Sequence, residues 1–409
     1  MPTLSDKLKS LGVKTGTAGL PKPARQEGHG IDSVLAGTVF PTALGETFVY
    51  EERFAGDYRH GLASIRLDVP LTVISAWAAD PRLSSIDLSS FIFLDTETSG
   101  LAGGTGTYAF LVGAARFIDG EFVLKQFFMR DPAEEPALLE ALAAFLAPGQ
   151  ALVTFNGKAF DAPILATRYT LHSIPIPFQG FAHLDLLPLA RRLWRARLES
   201  RALKYLEENI LQAPRTAEEV PGYEIPWLYF DYLRTGDARP LKGVFYHNAM
   251  DVVAMAGLLN YTATMLADPF HEGIQHGLDV ISIARLYEDL GEWEMAARLF
   301  ERGLQMTLNE ADFWEAVRRL SVLQKRRGDF EEALRLWEQA ATQGHIYAHI
   351  ELAKFYEHRR RDPKQALQWT LSALQDLEHA DLPIYVRKHW ADELKHRKQR
   401  LETRLKKSR

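Results

Sequence analysis

Phe91-Ile92-Phe93-Leu94-Asp95-Thr96-Glu97-Thr98-Ser99-Gly100-Leu101 is the stretch on which the reading of this chain turns. Four apolar residues run into an acid, a spacer and a second acid. The apolar run reads as a buried strand ending at Asp95, and Ser99-Gly100 as its exit turn. Side chains two apart on a strand point the same way, so Asp95 and Glu97 project together from the end of a core strand. Neighbouring carboxylates repel and are costly to desolvate unless a cation lies between them. Hard oxygen donors at this spacing suit Mg²⁺ or Mn²⁺. A surface loop with two acids accounts for Asp-x-Glu equally well, so the residues downstream must decide.

Working outward, Tyr108 to Phe117 and Phe122 to Phe128 read as two further strands joined at Asp119-Gly120, a hairpin signal. With the first strand they make three adjacent antiparallel strands. A helix follows, striped by Leu138, Leu139, Leu142, Phe145 and Leu146. Ala151 to Phe155 is a short buried strand, and a helix carrying Ile164, Leu165 and Tyr169 comes after it. Hairpin strands followed by alternating strands and helices predict an α/β fold, a mixed sheet flanked by helices. Asn156-Gly157-Lys158-Ala159-Phe160-Asp161 sits between that last strand and its helix. Asp161 is then either a helix cap or a third carboxylate at the mouth of the sheet. Asn156 and Lys158 either shape the turn or contact substrate. In Tyr246-His247-Asn248-Ala249-Met250-Asp251, His247 and Asp251 are four apart and share one side of a helix. The glycine loop 100–106 matches neither the P-loop nor the dinucleotide fingerprint, and a plain turn is preferred over a phosphate nest.

These segments resemble the three exonuclease motifs of the DEDD superfamily on the RNase H-like fold. They are most similar to the YprB-type RNase H-like family, through Phe155 to Pro163, His183-Leu184-Asp185-Leu186-Leu187, Pro221 to Pro226 and His247 to Asp251. The resemblance covers roughly residues 90–265. It implies a 3′–5′ exonuclease acting on DNA or RNA, with a single-stranded end as substrate and two Mg²⁺ or Mn²⁺ ions held by Asp95, Glu97, Asp161 and Asp251. Two ions about 4 Å apart can activate water and stabilise the leaving oxygen. A base near neutral pKa then takes the proton, which suits His247. The chain departs from the family pattern here. The histidine-type subfamily places its base five residues before the last Asp and the tyrosine-type four before, whereas this chain has Tyr246 at the first spacing and His247 at the second. His247 is the preferred base, with Tyr246 as the alternative or a substrate contact beside Asn156 and Lys158. The swap also keeps open a catalytically weak nucleic-acid-binding module.

A second pattern occupies the C-terminal third. Ala296, Ala333 and Ala366 recur at 37 and 33 residues, and Gly291 and Gly328 precede the first two. That spacing is close to the roughly 34-residue tetratricopeptide (TPR) repeat, an all-α helix-turn-helix stack that commonly binds protein partners. The expected division is an irregular arm over 1–45, an RNase H-like domain over 46–270, TPR-like repeats over 276–380 and a basic helix or tail over 381–409.

Composition sets the outer limits. The 409 residues carry a net charge of −5, so any polyanion site is a local patch rather than a global field. Cysteine is absent, which excludes disulfides, thiolate catalysis and thiolate-bound metals. No apolar run approaching the ~20 residues of a membrane span stands out, and Leu4, Leu8 and Leu11 among lysines resemble a short surface helix, so a cytoplasmic protein without a membrane segment is expected. His60 reads as structural in preference to a ligand. Arg191, Arg192, Arg195, Arg197 and Arg201, with Trp194 and Tyr205, read either as a strand-tracking face or as a solvated helix whose tryptophan is core.

Overall fold

A computed structural model describes residues 29–100, 106–380 and 382–407. The expected N-terminal helix around Leu4 to Leu11 and most of the glycine loop lie outside the described residues. The chain divides into two compact units, one formed by residues up to 188 with 202–263, the other by 189–201 with 264–409.

In the first unit, and in the second for α5 from Leu189 and α8 from Thr264, the elements run α1 (Ile31–Val34), β1 (Thr38–Thr42), β2 (Gly45–Phe54), the short strands β3 (Arg59–His60) and β4 (Ala63–Ser64), α2 (Thr72–Trp77), β5 (Phe91–Thr98), β6 (Ala109–Ile118), β7 (Glu121–Phe128), α3 (Glu135–Leu146), β8 (Ala151–Thr154), α4 (Asp161–Leu171), β9 (Ala182–Asp185), α5 (Leu186–Trp194), α6 (Leu203–Leu206), α7 (Ile225–Thr235) and α8 (Leu241–Ala267). Seven strands form one sheet in the order β1-β2-β7-β6-β5-β8-β9. From β1 to β5 neighbouring pairs are antiparallel, and β5-β8 and β8-β9 are parallel. This is the mixed RNase H-like sheet expected.

Two boundaries differ from the sequence reading. Residues 29–45 are not an irregular arm, because β1 pairs Thr38 with Val49 through Thr42 with Gly45 and forms the sheet edge. Pro41 in that strand hid it, since proline is tolerated only where an edge leaves the N–H position unpaired. Strand β5 also runs past Asp95 to Thr98, with a register shift at Glu97/Thr98 against β6. Such a bulge bends the strand end where the acids stand.

Strands β5, β6 and β7 are buried almost throughout because both sheet faces are covered. On one face Phe245 of α8 meets Phe48, Tyr50 and Phe128 edge-on or tilted. On the other Phe145 of α3 meets Phe127. Tyr229 of α7 stacks on Phe110 at 4.0 Å. By length and hydropathy Leu241–Ala267 could cross a membrane, contrary to the sequence reading, but 78% of its apolar window is buried inside the protein. It is the core helix of this unit.

The second unit holds helices α9 (Gly277–Asp289), α10 (Trp293–Leu304), α11 (Glu310–Arg327), α12 (Phe330–Ala341), α13 (Ile346–His358), α14 (Pro363–His379) and α15 (Ile384–Lys407). The first six pack as three hairpins and α15 packs on α14. Ala296, Ala333 and Ala366 are all fully buried, as close helix packing requires. Gly291 and Gly328 take positive φ at the turns. In the third hairpin Arg361 takes that conformation instead, and Asp362 caps α14 at Lys364 and Gln365. Trp194 is buried, Arg192 pairs with Asp289 and Arg197 with Asp279, so these members of the arginine cluster serve packing within the unit. In the basic C-terminal stretch Arg397 and Arg400 both bind Glu357.

Candidate active site

Register builds the site. Asp95 of β5 lies opposite Gly113 of β6, which lies opposite Gln126 of β7. All three therefore face α8. A Cβ on Gly113 would stand 2.2 Å from Asn248 Oδ1, so only glycine admits the Asn248 side chain here. Asn248 Nδ2 donates to Asp95 Oδ2 at 2.8 Å, and Gln126 Nε2 donates to Asn248 Oδ1 at 2.8 Å and to the Phe245 carbonyl. One buried amide pair thus locks α8 to the strand carrying the acids.

Asp161 opens α4, as the sequence predicts, and its Oδ1 accepts from the Thr96 hydroxyl at 2.5 Å. Asp185, at the end of β9, accepts from the backbone N–H of Asn156, Lys158 and Leu187. It both caps α5 and fixes the turn before Asp161. Within that turn Asn156 has φ 67°, which asparagine tolerates well, so it shapes the backbone, and Asn156 and Lys158 are both exposed.

Helix α8 begins at Leu241, so His247 and Asp251 share one side of it, with His247 Nε2 3.6 Å from Asp251 Oδ2. His247 Nδ1 meets Glu219 Oε1 at 3.0 Å. Tyr246 is directed elsewhere, its hydroxyl accepting from the Thr216 N–H at 2.9 Å. The structure therefore brings Asp95, Glu97, Asp161, Asp251 and His247 together and turns the Tyr246 hydroxyl to the neighbouring loop.

Sequence reasoning missed the groups that hold these residues. Arg215 is 1% exposed and spans three carboxylates. Its Nε donates to Glu207 Oε2 at 2.6 Å, its Nη1 to Glu219 Oε1 at 3.1 Å, and its Nη2 to Asp251 Oδ1. Glu207 is held in turn by His60 Nε2 at 2.7 Å, which gives His60 the structural role preferred for it. Weak signals existed: Gln126 is a lone amide in an apolar strand, Gly113 interrupts another, and Arg215 and Glu219 are four apart in a stretch with no apolar period.

The electrostatics follow from burial. Burial pushes Asp95 well above the usual carboxylate range, with repulsion from Asp251, Glu97 and Asp161 adding to it and the Asn248 hydrogen bond opposing it. Burial raises Glu97 to about 8, with His247 and Arg215 opposing and Asp251 and Asp161 adding. Burial raises Asp161 to about 6 against the Thr96 hydrogen bond. For His247, burial works downward, but Glu219, Asp251 and Glu97 outweigh it and hold the imidazole at about 9. Burial and like-charge repulsion push Asp95 and Glu97 upward, and an all-oxygen donor set of this kind fits Mg²⁺ or Mn²⁺. Among the described residues no three His, Asp or Glu side chains converge on a point that could hold a metal ion. Asp95 is engaged by Asn248, Asp161 by Thr96 and Asp251 by Arg215.

Two family models match the chain, one described as RNase_H superfamily over residues 92–263 and one as a tetratricopeptide repeat over residues 281–312. Among curated proteins, "Uncharacterized protein YprB" of Bacillus subtilis (strain 168) is 33% identical over 336 residues, 80% of this chain and 80% of that one.

Proposed function

This chain belongs to the YprB family, an RNase H-superfamily domain followed by tetratricopeptide repeats, and on that premise we propose that it is a metal-dependent 3′–5′ exonuclease hydrolysing phosphodiester bonds of DNA or RNA. The observation that carries this reading is the meeting of Asp95, Glu97, Asp161 and Asp251, drawn from three separate motifs, around one buried patch beside His247. Asp95, Glu97, Asp161 and Asp251 are the residues to hold Mg²⁺ or Mn²⁺, and two ions are the number the motifs call for. Bound there, divalent ions supply an activated water and neutralise charge on the leaving oxygen.

The protein's own groups do the rest. Glu219 fixes the imidazole through Nδ1 and leaves Nε2 directed to Asp251 and the acids. Nε2 is then the atom that takes the water's proton. Without ions the surrounding carboxylates keep His247 protonated at neutral pH, and charge neutralisation by bound cations lowers its pKa toward a working base. Tyr223 and Trp227 are 73% and 72% exposed on and before α7, the helix packed against β5. Large aromatics left in water on the helix that packs against the acid-bearing strand provide stacking faces for the bases of a single strand. In the repeat unit, a cavity of about 470 Å³ lined by Arg318, Arg326, Phe330 and Trp390, with Lys325 and Lys354 paired to Glu351, is the candidate seat for an acidic protein segment.

The direct assay uses DNA and RNA labelled separately at each end, with Mg²⁺ or Mn²⁺. Stepwise loss from the 3′ end that vanishes in Asp95→Ala supports the proposal, and unchanged activity in that variant removes it. One observation favours a second reading, a weakly catalytic nucleic-acid-binding module: Asp251 is already engaged by Arg215. Strand binding that persists in chelator, with no product under either metal, selects that reading.

A further inference from the structure

Arg215 is a charged hydrogen-bond donor to one of the four acids, and it is tethered by two further carboxylates. Its guanidinium reaches Asp251 through Nη2 while Nε and Nη1 bind Glu207 and Glu219. Glu207 is fully buried and is itself held by His60. That anchor is rigid. The β3-β4 hairpin is pinned by the Leu62 N–H to the Leu211 carbonyl at 2.7 Å, and a Cβ on Gly61 would stand 2.0 Å from the same oxygen. Thr96 and Asn248 also bind the acids but bring no charge. Were Arg215 to swing away, Glu207 would be left buried with its charge unmatched by any cation except a protonated His60. A guanidinium also stays protonated at any working pH. An ion approaching Asp251 through Oδ1 therefore meets a fixed like charge at contact distance, and only Oδ2, 3.6 Å from His247 Nε2, is clear of the guanidinium.

We propose that Arg215 is a built-in cation of the catalytic centre, taking the charge-balancing place of one divalent ion, so that the four carboxylates hold one ion and not two. The proposal rests on the metal-dependent reading above and refines its ion count. In this role Arg215 positions Asp251 and offers a preorganised positive charge to the transition state.

The test counts ions without reference to activity. Free Mn²⁺ is followed by electron paramagnetic resonance during titration of the full chain, for wild type, Asp95→Asn, Arg215→Gln and Arg215→Lys. The expected result is one Mn²⁺ per chain lost between wild type and Asp95→Asn, two such ions in Arg215→Gln, and one in Arg215→Lys, which keeps the charge. Loss of two ions between wild type and Asp95→Asn overturns the proposal while leaving the nuclease reading standing, and so does a count of one in folded Arg215→Gln. No difference between wild type and Asp95→Asn overturns the metal-dependent reading, and this proposal with it. If circular dichroism shows Arg215→Gln unfolded, the wild-type and Asp95→Asn counts decide alone.

Discussion

At the scale of single residues, the buried acids make this protein's stability depend on pH and on cations. Glu97 is raised to about 8 and His247 to about 9. A group whose pKa is higher folded than unfolded stabilises below its unfolded pKa and loses that contribution as pH rises through the folded value. For Glu97 the unfolded state is already ionised near neutrality while the folded state still resists ionisation. For His247 the unfolded imidazole is neutral above about 6.5 while the folded one stays charged. Both act in the same direction. In chelator the melting temperature is therefore expected to fall between about pH 4.5 and 9, and excess Mg²⁺ to flatten that slope by binding the ionised acids. Glu97→Gln is expected to remove the carboxylate part of the fall; a chelated melting curve unchanged across that window contradicts the assignment. Gly113 offers a second residue-scale test. Gly113→Ala puts a methyl into the Asn248 amide, so a loss of about 1–3 kcal/mol in denaturant unfolding is expected, together with weaker Mn²⁺ binding as Asp95 loses its positioning partner.

At the scale of elements, the site is an agreement between one strand end and two helices. The bulge in β5 bends the strand end that carries Asp95 and Glu97, α4 supplies Asp161 at its first turn, and α8 presents His247, Asn248 and Asp251 on successive turns. Helix α7 buries Ile225, Tyr229 and Tyr232 and leaves Trp227 outside. Because that ring contributes nothing to the core, Trp227→Ala is expected to leave the melting temperature within about 1 °C while weakening binding of a single-stranded oligonucleotide in chelator by roughly 5- to 150-fold. Fluorescence anisotropy measures this, and an unchanged affinity removes the stacking role. The periodicity of α8 was readable as a helix with a long apolar face. Its partner loop over 212–224 was not, because Arg215 and Glu219 acquire meaning only through acids remote in sequence.

For the whole molecule, each of the two units has its own buried side chains and its own logic. The repeat unit depends on small residues where helices approach, Ala296, Ala333 and Ala366. Ala333→Phe forces an aromatic ring into a fully buried alanine position and is expected to lower the stability of the repeat unit by about 1–3 kcal/mol or more. Mn²⁺ binding by the acids is expected to stay intact, since none of their partners lies in that unit. Calorimetry beside an Mn²⁺ titration checks both halves, and a concerted loss of metal binding counts against separate cores.

Periodicity and residue type were enough to identify the strand at Phe91, the hairpin after it, the helix holding His247 and Asp251, and the alanine-spaced repeat, because each is a local pattern dictated by burying one face of a short segment. Together with the resemblance to the DEDD motifs they were enough to nominate four acids and a histidine, each of which also had a plainer reading as a surface or capping residue. Which groups restrain those acids could not be read that way. Asn248 reaches Asp95 only because Gly113 lies across the sheet from it, Asp251 meets Arg215 only because His60 and Glu207 hold that guanidinium, and Pro41 disguised an edge strand. These are contacts between residues tens to hundreds apart. A one-dimensional pattern carries no record of them, because strand register and the packing of a loop on a helix are settled only when the core closes.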